Sequence, residues 1–207
     1  MCSRFFISFF LIACTASNLA AQRSPRTPAW FVQTTGFIAR YHSAIEYQPG
    51  IGAGVSIGHL IHHHWLAATV SFEYAHTTQK LLLITGREET AVNIYRNLIT
   101  LRAARALKHR HIFWFGGLQS GLSFFKPRPL TVDAGITGKM TLRPAGEKKF
   151  VVAWEGGLNL YFLENAALLL AVRQNFSRFA FRPLGSAQAT QQWRPEWNFA
   201  AGVLHRF

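Results

Sequence analysis

The chain has no cysteine beyond residue 14 and no long apolar run beyond its N-terminal segment. Its 2 cysteines are Cys2 and Cys14, so the rest of the chain can form no disulfide and perform no thiol chemistry. No later segment approaches the roughly 18 uninterrupted apolar residues of a membrane helix. The sequence also lacks a nucleophile elbow, a phosphate-binding loop and a dinucleotide fingerprint. We therefore expect no catalytic residue and no cofactor.

The histidines give little support to a metal site. His62, His63 and His64 are consecutive and follow His59 closely, and consecutive side chains cannot all point at one ion. No carboxylate lies nearby in the sequence, so we expect a solvated turn here and no metal centre.

Residues 1–21 have the features of an export signal. The apolar run Phe5–Ala13 has the length of a signal-peptide core, and small residues precede a suitable cleavage point. We predict that cleavage leaves residues 22–207 as one domain outside the cytoplasm. A second interpretation stays open, because Leu11–Cys14 also fits a bacterial lipobox in which Cys14 would be acylated. We favour ordinary cleavage, since a closed barrel needs no lipid anchor.

Apolar and polar residues alternate along most of the remaining chain, which is the period of a β-strand. No helical period competes strongly, although 97–107 could also be read as a short helix. We predict eight strands: Phe31–His42, Gly50–Ile61, Trp65–Thr77, Thr90–Ala104, Ile112–Lys126, Phe150–Phe162, Ala166–Phe181 and Glu196–Phe207.

The connections between these segments alternate in length. Three are short turns, at 62–64, 107–111 and 163–165, whereas 79–89, 127–149 and 182–195 are long. Short turns on one side and long loops on the other are typical of outer-membrane barrels, whose turns are periplasmic and whose loops are extracellular. An even number of strands then places both termini on the periplasmic side.

One face of each predicted strand is apolar, and two kinds of barrel could use that pattern. A soluble barrel would turn the apolar face inward, whereas a membrane barrel turns it toward lipid. The polar face carries Gly, Ser, Thr and Asn with isolated charges, which suits a narrow packed lumen better than a solvated surface. We therefore predict an all-β fold, an eight-stranded antiparallel up-and-down transmembrane β-barrel.

The fourth segment fits this pattern least well. Val92 and Ile94 share their parity with Arg96 and Arg102, while apolar residues further along the segment have the other parity. A β-bulge near Asn97 would restore one apolar face.

Four charged residues are predicted to face the lumen. Arg40, Glu73, Glu155 and Arg173 fall on polar faces of their strands, and charges in a narrow interior need partners. We expect ion pairs across the lumen. They could be structural packing, which we favour, or they could gate a conduction path.

Basic residues are concentrated in the predicted long loops. The chain has 22 Lys and Arg against 9 Asp and Glu, a formal net charge of +13. Extracellular cations would lie beside lipopolysaccharide phosphates, so we hypothesise binding of those groups, with capture of other polyanions, including DNA, as the alternative. No nucleic-acid-binding fold signature accompanies the charge, so sequence-specific nucleic acid is not an expected partner. The candidates are Arg87, Lys126, Arg128, Lys139, Arg143, Lys148 and Lys149.

The last eleven residues resemble the C-terminal insertion signal that the barrel assembly machinery recognises in bacterial outer-membrane proteins. Phe207 provides the terminal aromatic residue and Gly202 the usual glycine, although His205 stands where a second aromatic is common. The resemblance implies insertion into the outer membrane.

The chain as a whole resembles the small eight-stranded barrels of the OmpA/OmpX type, in the style found in Bacteroidota. Within 155–173, an acid, Tyr161, a turn, an apolar run and Arg173 are similar to the conjugative-transposon TraO family. The first resemblance implies a structural or interaction role at the cell surface, and the second implies a component of a conjugative transfer apparatus in the envelope. A lipid-modifying surface enzyme is the least favoured alternative, because the chain has no His-x-Ser pair.

Overall fold

A computed structural model describes residues 30–42, 47–62, 66–83, 86–107, 111–133, 138–181 and 190–207. The predicted export signal, its cleavage site and Cys14 lie outside these residues. Nearly all of the described chain is β-strand. The strands are β1 (Trp30–Tyr41), β2 (Gly50–His62), β3 (Leu66–Leu83), β4 (Gly86–Ala106), β5 (Ile112–Pro127), β6 (Leu130–Asp133), β7 (Lys139–Leu142), β8 (Glu147–Leu163), β9 (Ala166–Phe181) and β10 (Thr190–Arg206).

Eight of these strands close into one antiparallel up-and-down barrel, as the sequence predicts. The order around the wall is β1-β10-β9-β8-β5-β4-β3-β2, and β1 completes the ring by pairing with both β2 and β10. The remaining two strands, β6 and β7, form a separate hairpin in the connection from β5 to β8. No helix in the described parts of the chain is both long and apolar enough to cross a membrane.

Several predicted boundaries and one predicted irregularity are corrected. The range 79–89 is largely strand, because β3 and β4 stay paired as far as Leu83 and Gly86. The alternative helix at 97–107 does not form, since β4 runs through it. The bulge near Asn97 is also wrong: β4 keeps a continuous register with both neighbours. The irregularities lie instead beside two short turns, between Leu60 and His62 and between Tyr161 and Leu163.

The two faces of the wall have the polarity of a membrane barrel. Outward side chains are apolar and open, for example Leu118 at 70% exposure and Ile51 at 67%. Inward side chains include charged groups that are almost completely buried, for example Arg96 at 1% and Glu73 at 5%. A soluble barrel would show the reverse distribution, because burial of charge is costly and exposure of large apolar area is rare.

Aromatic side chains lie near both ends of the outward apolar face. On the long-loop side, Tyr74 and Tyr95 are in contact, with ring centroids 5.4 Å apart. Trp30 and Trp114 are exposed on the short-turn side. Along β10 the outward apolar face runs from Trp197 to Phe207, which is about 25 Å of barrel height at the usual strand tilt. Two aromatic belts at this separation match the apolar thickness of an outer membrane.

Candidate functional site

The barrel interior contains a network of paired charges, and its long-loop half is built on two arginines. Arg96 on β4 donates to both carboxylate oxygens of Glu196 on β10, at 2.7 Å each. Arg173 on β9 donates to Glu73 on β3 through Nη1 at 2.5 Å and through Nη2 at 2.6 Å. Each pair joins two strands on opposite sides of the barrel, so both contacts cross the lumen. Bidentate guanidinium–carboxylate pairs are among the strongest polar contacts in proteins.

The other half of the network is centred on Glu155 of β8. Arg102 on β4 donates from Nε to Glu155 Oε1 at 2.8 Å, and its Nη1 donates to Gln33 Oε1 at 2.9 Å. Gln119 Nε2 donates to Glu155 Oε2 at 2.6 Å. Both oxygens of this carboxylate therefore have a partner.

The two halves are joined into one charge-balanced cluster. Arg173 Nη1 also donates to Gln119 Oε1 at 3.2 Å, and Arg96 Nη1 lies 3.8 Å from Glu73. Three arginines face three glutamates, so the formal charges cancel. The adjacent interior cavity measures only about 20 Å³, which is room for about one water.

Apolar layers enclose the charged network on both sides. Toward the long loops, Phe37, Ala39, Ala75, Val92, Ile94 and Phe125 form a buried cluster against which Tyr41 and Tyr47 pack. Burial raises the pKa of the Tyr47 phenol well above its ordinary value. Toward the short turns, Phe31, Ala67, Ala167 and Leu204 form a second cluster with Leu60 and Tyr161. The described interior is therefore packed and leaves no wide aqueous channel.

Three of the four predicted lumen charges lie in this network. Glu73, Glu155 and Arg173 are buried and ion-paired. The prediction for Arg40 is corrected: this side chain is exposed on the outward face, because it shares the parity of Ile38, while Ala39 between them is fully buried.

Sequence reasoning missed Arg96, Arg102 and Glu196. The sequence contains a signal for the two arginines, because they share the parity of Val92 and Ile94 in the segment that fits the alternation least well. All four of these β4 side chains point inward.

The carboxylates and other polar groups of the described lumen are engaged with one another. Each of the three lumen carboxylates accepts hydrogen bonds from a guanidinium group. No group of three or more metal-ligating side chains occurs in the ranges that the structure describes. The arrangement is suited to holding the barrel closed.

The predicted basic candidates lie in strands and connections at the long-loop end. Of these, five are exposed: Lys126, Arg128, Lys139, Arg143 and Lys148. The backbone of Arg128 is fixed to β4, since its N–H donates to Ala91 O at 2.8 Å and its carbonyl accepts from Thr90 Oγ1 at 2.8 Å. Arg87 lies in β4, but its side chain is not among those described.

The assignment of Lys149 to an exposed loop is corrected. Lys149 lies in β8 with the inward parity of Val151, is buried, and pairs with Glu147 at 2.6 Å. Its ammonium lies 4.8 Å from the centroid of the Phe125 ring. It is therefore part of the upper end of the lumen.

The two predicted insertion-signal residues have identifiable local surroundings. The amide of Phe207 donates to the carbonyl of Trp30 at 3.0 Å, which extends the β1–β10 pairing to the last residue, and its ring is exposed on the short-turn side. At Gly202 a Cβ atom would overlap the backbone oxygen of Thr34. Close packing of the wall therefore requires glycine there, whatever the residue does during insertion.

Comparison with solved structures identifies the fold. The chain is similar to Neisserial surface protein A, with a TM-score of 0.57 and 16% identity over 86% of this chain and 97% of that one. It is similar to OprG of Pseudomonas aeruginosa, with a TM-score of 0.58 and 9% identity over 88% and 97%. It is also similar to Escherichia coli outer membrane protein W, with a TM-score of 0.50 and 8% identity over 89% of this chain and 100% of that one.

All three are outer-membrane proteins, and at these identities the likeness shows a shared fold. No protein-family model matches the sequence, and no curated protein matches it.

Proposed function

We propose that the chain is a non-enzymatic outer-membrane barrel that acts at the cell surface by binding phosphate-bearing anions at its long-loop end. The observation that carries the proposal is the separation of its charges. Three arginines are neutralised inside the lumen, whereas five of the predicted basic candidates are exposed at the long-loop end. A barrel with a packed interior acts through its outer surfaces.

The two faces of the barrel wall support the proposed location. The outward face is apolar over about 25 Å and has aromatic residues at both ends, which fits an outer membrane. With the short turns toward the periplasm, both ends of the barrel domain lie on the periplasmic side. The barrel assembly machinery is the expected partner during insertion, through the strand that ends at Phe207.

The anion is proposed from charge density. Residues 126–149 contain six basic and two acidic residues, and one of those acids, Glu147, already pairs with Lys149. Exposed cations attract phosphates over roughly a Debye length, about 8 Å at physiological salt. Lipopolysaccharide phosphates are the nearest dense anions at an outer-membrane surface, so they are the proposed ligand.

Binding of lipopolysaccharide to the folded protein in nanodiscs tests this proposal. We expect the affinity to fall with salt, and we expect Lys139→Gln with Arg143→Gln to weaken it about tenfold. Dephosphorylated lipopolysaccharide should bind no better to wild type than to the variant. Arg105→Gln is the control, since Arg105 is also exposed but lies near the short-turn end of β4. Salt-insensitive binding, or equal binding by all variants, contradicts the proposal.

A role in conjugative transfer is the second candidate. The segment that resembles TraO folds as the β8–β9 hairpin, in which Glu155 and Arg173 are register partners and Tyr161 packs at the turn end. Crosslinking in intact cells, followed by mass spectrometry of the purified protein, separates the candidates. Recovery of transfer-apparatus proteins, with loss of transfer on gene deletion, would favour conjugation. A changed lipid A mass on overexpression would instead indicate an enzyme.

A further inference from the structure

The outer wall has an apolar groove that the function proposed above does not use. It crosses β1, β10, β9 and β8 and has a volume of about 560 Å³. It is a shallow depression that opens onto the outer surface of the barrel and is not an enclosed pocket. Its outward-facing lining includes Gly36, Ile38, Gly156, Leu170, Phe199 and Ala201.

Two glycines keep the groove open, and the packing of the barrel does not require either of them. A Cβ atom at Gly36 would come no nearer than 4.0 Å to another atom, the oxygen of Gly52, and one at Gly156 no nearer than 3.7 Å, to the oxygen of Phe115. By contrast, a Cβ at Gly202 would overlap backbone. Larger residues would therefore fit at 36 and 156, and they would fill the groove.

A polar row borders the groove on its long-loop side. In the strand register Arg40 is opposite Trp197, Trp197 is opposite Gln174, and Gln174 is opposite Trp154. Trp154 Nε1 donates to Gln174 Oε1 at 2.9 Å, and the two tryptophan rings meet edge to face at 5.7 Å. Tryptophan with a polar partner is typical of the boundary between lipid chains and headgroups.

Arg40 gives this border a positive charge. It follows Ile38 by two residues on the same face of β1, about 7 Å further toward the long loops. It is exposed, and no ion pair joins it to any residue that the structure describes. A cation at this height on an apolar wall is placed to meet a lipid phosphate.

We propose that the groove binds one membrane lipid with a net anionic, phosphate-bearing headgroup, with an acyl chain along Gly36 and Ala201 and the phosphate on Arg40. The groove is apolar along its length and cationic at one end, which is the complement of an anionic lipid. A second copy of the barrel would also bury apolar area, but it would place Arg40 against another Arg40 or against lipid-facing side chains. The inference rests on the membrane location proposed above and is independent of the basic loop end.

Native mass spectrometry of the folded protein in detergent, titrated with dioleoylphosphatidylglycerol, tests the inference. We expect Gly36→Leu to weaken binding of the first lipid about tenfold. Ala68→Leu, which adds the same side chain to the outward face of β3 away from the groove, should change it less than about twofold. Arg40→Gln should abolish the preference for phosphatidylglycerol over phosphatidylcholine with the same chains. Arg105→Gln, which removes an exposed cation near the short-turn end of β4, should retain that preference.

The alternatives give distinct results. A dimer of wild type that Gly36→Leu dissociates would assign the groove to a second copy. Equal lipid binding by all four variants overturns the inference, and a gel shift between boiled and unboiled samples shows that each variant has folded. Failure of the membrane location would appear separately, as absence of the protein from outer-membrane fractions.

Discussion

The interior of the barrel and its exterior use the same charged residue types in opposite ways. Inside, Arg96, Arg102 and Arg173 each contact a glutamate, and all six groups are nearly inaccessible. Outside, the basic side chains at the long-loop end are exposed. A buried charge contributes through its partner, whereas an exposed charge remains available to a ligand. The difference teaches that burial, more than residue type, separates structural from binding charges in this protein.

The largest effect is expected when one interior partner is removed. Arg96→Met leaves Glu196 without its guanidinium and removes one of two cations near Glu73. An uncompensated buried charge costs about 3–5 kcal/mol of unfolding free energy. Urea titration of the protein in lipid vesicles, followed by tryptophan fluorescence, measures the loss.

Lys126→Met is the matched exterior control. Lys126 is exposed, so its replacement should change the unfolding free energy by less than about 0.5 kcal/mol. Similar values for the two variants would show that the lumen charges are not the structural element described here.

A second contrast compares two glycines that face opposite sides of the wall. At Gly52 a Cβ would overlap the Phe37 ring and lie 2.6 Å from the oxygen of Tyr74, whereas at Gly36 it would meet nothing closer than 4.0 Å. Overpacking typically costs about 1–3 kcal/mol, so Gly52→Ala should lose that much and Gly36→Ala almost nothing. The same urea titration checks both variants. Equal losses of unfolding free energy would contradict the tighter packing around Gly52 than around Gly36.

The strands could be predicted from the sequence, because alternation is local and each strand carries its own apolar face. The ion-pair partners inside the lumen could not be predicted, because the side chains that meet across a barrel depend on the register of its strands. Glu73 and Arg173 meet although they are 100 residues apart. No local pattern indicates which arginine faces which glutamate.

The errors have a common physical cause: the strands are longer than the membrane is thick. β4 has 21 residues, about twice what a bilayer crossing needs. Near the long loops the inward face therefore becomes apolar, as at Val92 and Ile94, and the outward face can carry Arg40. Beyond the aromatic belt on the long-loop side, an apolar residue therefore no longer indicates the lipid-facing side of its strand.

A smaller loss is expected when both partners of an interior pair are replaced together. Apolar residues of similar volume often substitute for a buried ion pair at little cost. Arg96→Met combined with Glu196→Leu should therefore lose less than about 2 kcal/mol, well below the sum of the two single variants. A double-mutant cycle measures the coupling between the two sites. An additive result would indicate that each residue contributes through packing and not through the ion pair.

The smallest effect on stability, and the clearest effect on binding, is expected at the long-loop end. Lys139→Gln with Arg143→Gln removes two exposed charges and should change the unfolding free energy by less than about 0.5 kcal/mol. The same variant should have a shallower dependence of lipopolysaccharide affinity on salt, because fewer phosphate contacts form. Parallel measurement of the urea midpoint and of affinity at two salt concentrations separates the two quantities. If stability falls while the salt dependence is unchanged, these cations belong with the structural charges of the lumen, and the distinction between interior and exterior fails at this end of the barrel.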